Sequence, residues 1–123
     1  MKIIYNATVF TDTELQKWKF KRSYETQRLY QDRLNMENHV QIFEDDVRSN
    51  GELIAKDTYL IKNEFPYETQ CYHSLIVCLG DNHTDPITLV SILMKEHFMP
   101  TLVFENEPKD QSVKTIKHYH VLY

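Results

Sequence analysis

Two histidines with one residue between them, His118 and His120, are the pair in this chain best spaced to share a ligand. Alternate residues of a strand point to one face, so both imidazoles could reach a single ion. Such a site needs a third protein ligand, and His73, His97, Asp81 or Asp85 supplies one only if the fold brings it near. Two histidines near a chain end more often lie on a solvated strand face, which makes His118 and His120 weak metal candidates.

The thiols give a weaker case for catalysis. Cys71 and Cys78 are the two cysteines, and His73 stands two residues from the first. All three fall in or beside "CYHSLIVCL", the most apolar run of the chain, where burial raises a thiol pKa and leaves it inert. A catalytic base normally arrives from elsewhere in the fold, with a third group orienting it. If residues 71–79 form one strand, the odd spacing sends the cysteines to opposite faces and they cannot pair. They read as thiols of a reducing compartment. The acidic "EDD" at 44–46 could offer paired carboxylates, but consecutive acids point in different directions, and the segment reads as a solvated turn. "GDNHTD" at 80–85 lacks the further ligands of a calcium loop. With two glycines in 123 residues there is no glycine-rich phosphate loop, and no serine elbow, dinucleotide fingerprint or zinc-finger spacing occurs. No cofactor is expected, and a non-enzymatic role is the reading adopted.

The elements that must position these groups follow from the pattern. Strong β-formers mark strands at 2–10, 39–43, 52–62, 71–79, 101–105 and 113–123, with the fourth at the centre of the sheet. Thr11 with Glu14 three residues on is a capping box, flanked by Phe10 and Leu15 as a hydrophobic staple, and predicts a helix over 12–36. Asp85 followed by Pro86 starts a second, largely buried helix ending before Pro100. The order β-α-β-β-β-α-β-β implies a single α+β domain over 1–123, two helices packed on a mainly antiparallel sheet. The apolar and charged fractions, 41% and 26%, are those of a globular chain that can bury a core without staples. No apolar run approaches the roughly 20 residues of a membrane span, and the start lacks a long apolar stretch, so a cytoplasmic protein is expected.

Charge is segregated. Residues 17–33 carry a local excess of +4, although the whole chain is −4, which leaves −8 on the rest. On a continuous helix, Leu15, Trp18, Leu29 and Met36 share a narrow arc that should face the core. Phe20, Tyr24, Tyr30 and Leu34 form a second apolar arc, with Lys17, Lys21 and Arg28 beside it. One helix cannot readily bury both arcs in a domain this small. Lys17, Phe20, Lys21, Tyr24 and Arg28 are therefore the expected partner-binding face, with Glu44, Asp45 and Asp46 as a second, acidic one. A homodimer with Phe20 and Tyr24 at its two-fold seam is the other way to cover that surface.

Aromatic rings beside cations also suit single-stranded nucleic acid, but a domain of pI 5.8 fits a protein partner better. Isoleucine, lysine, asparagine and tyrosine abound while alanine and glycine are scarce, as AT-rich genes produce. The expectation is an accessory protein of a phage or plasmid that inhibits or modulates a host nucleic-acid-handling enzyme, as inhibitors of CRISPR nucleases do. A metal-dependent enzyme and a single-stranded nucleic-acid binder are the alternatives.

Overall fold

The computed structural model describes residues 1–7, 11, 13–14, 21–69, 71–108, 111, 113 and 115–123. They form β1 (Lys2–Asn6), α1 (Tyr24–Leu34), α2 (His39–Asn50), β2 (Glu52–Ala55), β3 (Thr58–Lys62), β4 (His73–Cys78), α3 (Pro86–Glu96), β5 (Leu102–Glu105) and β6 (Lys117–Leu122). The six strands make one sheet in the order β1-β5-β6-β4-β3-β2, and every neighbouring pair is antiparallel. The fold is α+β, with helices packed against an antiparallel sheet.

β4 and β6 are the two middle strands, and all six residues of β4 are buried. Their alternation makes two cores. On one face Ile76 and Cys78 of β4, Tyr119 and Val121 of β6 and Val103 of β5 meet Leu89, Val90 and Leu93 of α3. Leu89 and Leu93 are fully enclosed, each contributing about 1.5–3 kcal/mol of burial. Ile87 of the same helix is exposed, so α3 buries one face rather than most of its circumference. On the opposite face Leu75 and Val77 of β4 and Ile61 of β3 meet Val47 of α2, with Val40 and Phe43 beside them. Further along that face Leu102, Phe104 and Leu122 pack with Tyr67.

Three departures from the expected elements have local causes. The segment 39–43, expected as a strand, begins α2, so the sheet carries three helices rather than two among the described residues. Val40, Phe43 and Val47 stand at i, i+3 and i+7, a helical spacing that a five-residue window cannot reveal. Polar pairs one turn apart support the same helix, Gln41 to Asp45 at 2.8 Å and Arg48 to Glu44 at 3.2 Å. Residues 52–62, expected as one strand, fold back as the β2–β3 hairpin. Asp57 takes a φ of 51° at its turn, a left-handed conformation that aspartate tolerates better than most residues.

The predicted helix over 12–36 is not continuous. Its capping box is present: the Thr11 amide donates to Glu14 Oε2 at 2.7 Å, and the Glu14 amide to Thr11 Oγ1 at 3.1 Å. Residues 21–23 are not helical, and α1 starts afresh behind Ser23, whose hydroxyl accepts from the Thr26 amide. Tertiary bonds hold the interruption open, because the Lys21 carbonyl accepts from the Glu68 amide at 2.8 Å. An arc projected across the break loses its phase. Leu29 and Met36, expected inside, are 48% and 46% exposed.

Candidate functional site

β6 does place His118 and His120 on one face, and the β4–β6 register decides what they meet. Leu75 pairs with His120 and His73 with Leu122, so His73 and His120 are diagonal neighbours on the α2 side of the sheet. His73 Nε2 lies 2.9 Å from His120 Nδ1, and both side chains are buried. His120 lies between two near-parallel rings, Phe104 at 4.9 Å and 9° and Tyr67 at 5.6 Å and 17°.

The hydrogen bonds fix where the protons sit. The Tyr67 backbone amide donates to His73 Nδ1 at 3.1 Å, so that nitrogen carries a lone pair. His73 Nε2 must then hold the proton and donate to His120 Nδ1, which leaves the His120 proton on Nε2. Nε2 faces the Asn106 side-chain amide at 3.2 Å, and the Tyr67 hydroxyl lies 3.4 Å from the same amide atom. The Asn106 carbonyl oxygen, turned into that position, accepts from both, which is the orientation the proton count requires. Asn63 also borders His73, its Nδ2 lying 3.5 Å from Nδ1 and 3.3 Å from Nε2. It cannot turn, because its Oδ1 already accepts from the Phe65 amide at 2.9 Å, so its N–H is directed at the Nδ1 lone pair.

These imidazoles are held neutral. Burial, then the positive charge of Arg22, pushes the His73 pKa down to about 4. Burial holds His120 well below the ordinary histidine range, with His73, His118 and Arg22 acting in the same direction. Burial lowers His118 too, against the opposing effect of its bond to the Ile116 carbonyl at 2.8 Å. A neutral imidazole can ligate metal, but His73 and His120 spend facing nitrogens on each other instead of converging on a point. Among the described residues no group of three His, Cys, Asp or Glu is placed to hold an ion. His97 instead faces Glu52 at 3.6 Å, and Asp85 stands at the N-cap position of α3 without a side-chain bond to the helix.

A cavity of about 120 Å³ opens beside His118 and His120, floored by Ile61 and Leu75 and roofed by Tyr30, Arg33 and Leu34 of α1. Arg22 enters it from the interruption before α1. Its Nε donates to the Phe65 carbonyl at 2.7 Å, and its guanidinium lies 3.9 Å from the Tyr30 ring centre and 4.9 Å from that of Tyr67. Arg33 is neutralised by a two-bond pair with Glu64 at 3.0 and 3.1 Å.

The residues expected to bind a partner are dispersed. Lys17 and Phe20 lie outside the described residues. Lys21, Tyr24 and Arg28 are exposed, with Tyr24 and Arg28 one turn apart on α1, whereas Tyr30 and Leu34 of the same expected arc turn inward to the cavity. Glu44, Asp45 and Asp46 sit on α2 rather than in a turn, at successive steps of ~100°. Only Asp45 is exposed; Glu44 pairs with Arg48, and Asp46 accepts from Asn50 and lines the cavity. The cysteines are free thiols, with Cys71 before β4 and Cys78 buried at its end.

Arg22, Tyr67, Asn63 and Asn106 had no place in the sequence reading of the site. Neither Arg22 nor "NEFPY" at 63–67 carries a motif that marks it. The available signal was Ser23, a good cap with Glu25 in the following turn, which marks a helix start at the right place. Compared with protein-family models, curated proteins and solved structures, the chain matches none.

Proposed function

We propose that this chain is a non-enzymatic binding protein that docks on an acidic protein surface through the outer face of α1. The observation that supports this reading most is Tyr24, 86% exposed on a helix without a buried residue, with Arg28 one turn further on. Tyrosine and arginine are the residue types that carry most energy when an interface desolvates them. Lys21 adds a second cation and Leu29 an apolar neighbour. The helix is braced from below by Tyr30 against Phe65 at 5.3 Å and by Arg33 on Glu64, so its outer face rests on a fixed support.

The partner class we infer is a host protein that handles nucleic acid, a nuclease among them, with this chain acting as an inhibitor or modulator carried by a phage or plasmid. The support is the separation of a +4 segment from a body of −8, together with a composition typical of AT-rich genes. A body of that charge, Asp45 included, suits the rim of a groove built for phosphates.

The test is capture from a host lysate with the wild type and a Tyr24→Ala/Arg28→Glu variant of matched melting temperature. A nucleic-acid-handling protein retained by the wild type, and lost about tenfold or more by the variant, is the expected result. Equal retention overturns the assignment of this face. Sedimentation as a dimer that the variant dissolves makes α1 a self-association seam instead. A gel shift of single-stranded DNA at low salt makes nucleic acid the ligand.

A further inference from the structure

We propose that the cavity beneath α1 is a binding site for a small organic carboxylate. In this assignment Arg22 takes the charge, and Ile61, Leu75 and Phe43 take the apolar body. The site is separate from the outer face of α1, and neither reading depends on the other.

Arg22 carries the argument. It is half-buried, and its position is set at three points by the Phe65 carbonyl and the Tyr30 and Tyr67 rings. Those contacts use Nε and the guanidinium face. The two terminal nitrogens, with four N–H bonds between them, have no acceptor among the described residues, and neither is sealed from solvent. Arg22 lines the cavity, so these donors open onto it. A guanidinium with its fork unused, held against two aromatic rings and half-buried, is preorganised for a planar anion.

The surroundings select the class of anion. The other arginine on the wall, Arg33, is neutralised by Glu64, and Asp46 is bonded to Asn50, so among the described residues Arg22 is the half-buried cation there without a carboxylate, while Lys62 at the end of β3 is exposed to water. Inorganic phosphate would need more donors than one arginine offers, whereas a carboxylate is matched by a single fork. Ile61, Leu75, Phe43 and Val113 offer hydrocarbon to whatever follows the carboxylate. A volume of about 120 Å³ resembles the engineered cavity of ~150 Å³ that accepts benzene, so the ligand is one ring or a short branched chain. The His73 and His120 protons are both committed within the chain that ends at Asn106, which leaves Arg22 as the half-buried group that recognises charge.

Benzoate is a suitable probe, with benzyl alcohol as its uncharged counterpart and inorganic phosphate as the anion without an apolar body. Each is titrated to about 10 mM into the isotope-labelled chain, reading backbone amide shifts at Arg22, Phe65, Tyr67 and Asn106. Saturating shifts with benzoate, at least about tenfold weaker binding of benzyl alcohol and phosphate, and a loss of about 10- to 100-fold in Arg22→Gln are expected. The wild-type comparison stands by itself if Arg22→Gln fails to fold. Equal binding of benzyl alcohol removes the role of charge, equal binding of phosphate removes the apolar subsite, and no saturating shift with any probe overturns the site.

Discussion

Acidification from pH 7 to pH 5 tests the buried histidine pair most directly. His73 has a native pKa of about 4 against an ordinary value of 6.5, so between those limits the unfolded chain binds a proton that the folded chain refuses. Stability from this group is therefore fully present above about pH 6.5 and is lost as the pH falls toward 4. Integrating the two titrations from pH 7 to pH 5 gives a loss of about 2 kcal/mol for His73 alone. For a chain of this length that is about 8 °C in melting temperature. His120 acts in the same direction, since its pKa is also depressed by burial. The bonding explains why the proton is refused: protonating His73 Nδ1 breaks its bond from the Tyr67 amide and leaves a buried donor unmatched. Thermal melts at half-unit pH intervals, together with an NMR titration of the imidazole carbons, measure both quantities. His73→Gln lowers the baseline stability but makes the acid slope shallower by up to one proton, about 1.4 kcal/mol per pH unit. A folded-state His73 that titrates near 6.5, or a variant slope equal to that of the wild type, refutes the reasoning.

Gly51→Ala is expected to cost about 1–3 kcal/mol, because the added carbon would stand 2.5 Å from the Val47 carbonyl oxygen and 3.1 Å from Tyr59 Cβ. The Gly51 φ of −74° is ordinary, so the denaturation midpoint should fall for want of space rather than through backbone strain, and an unchanged midpoint would contradict this. The two thiols should react unequally. Burial raises the Cys78 pKa and encloses the sulfur, while Cys71 is half-exposed, so a thiol reagent should label Cys71 in the native chain and Cys78 only as the chain opens. Equal labelling rates would show that the end of β4 is not sealed.

Much of the fold was legible because its signals are local. The β-formers near the amino end, the apolar run that becomes β4, the capping box at Thr11 and Glu14, and Asp85 before Pro86 each act over a few residues. Alternation in β6 likewise put His118 and His120 on one face without reference to anything distant. Other elements depend on residues outside any short window. Residues 39–43 alternate like a strand, but Val47 completes a helical stripe that only the face of β3 and β4 makes worth burying. The interruption before α1 has a local cap in Ser23, yet it is held by the Lys21 carbonyl on the Glu68 amide and by the Arg22 side chain on the Phe65 carbonyl 43 residues away.

The candidate site divides in the same way. Sequence alone determined which side chains were present, and in β6 which of them share a side, because a strand's pleat has a period of two whatever surrounds it. Tertiary structure decided that His73 meets His120, that Arg22 rests against two tyrosine rings, and that Tyr24 looks outward while Tyr30 looks in. Strand register and helix seating depend on the burial gained between segments far apart in the chain, and no short stretch of sequence contains that energy.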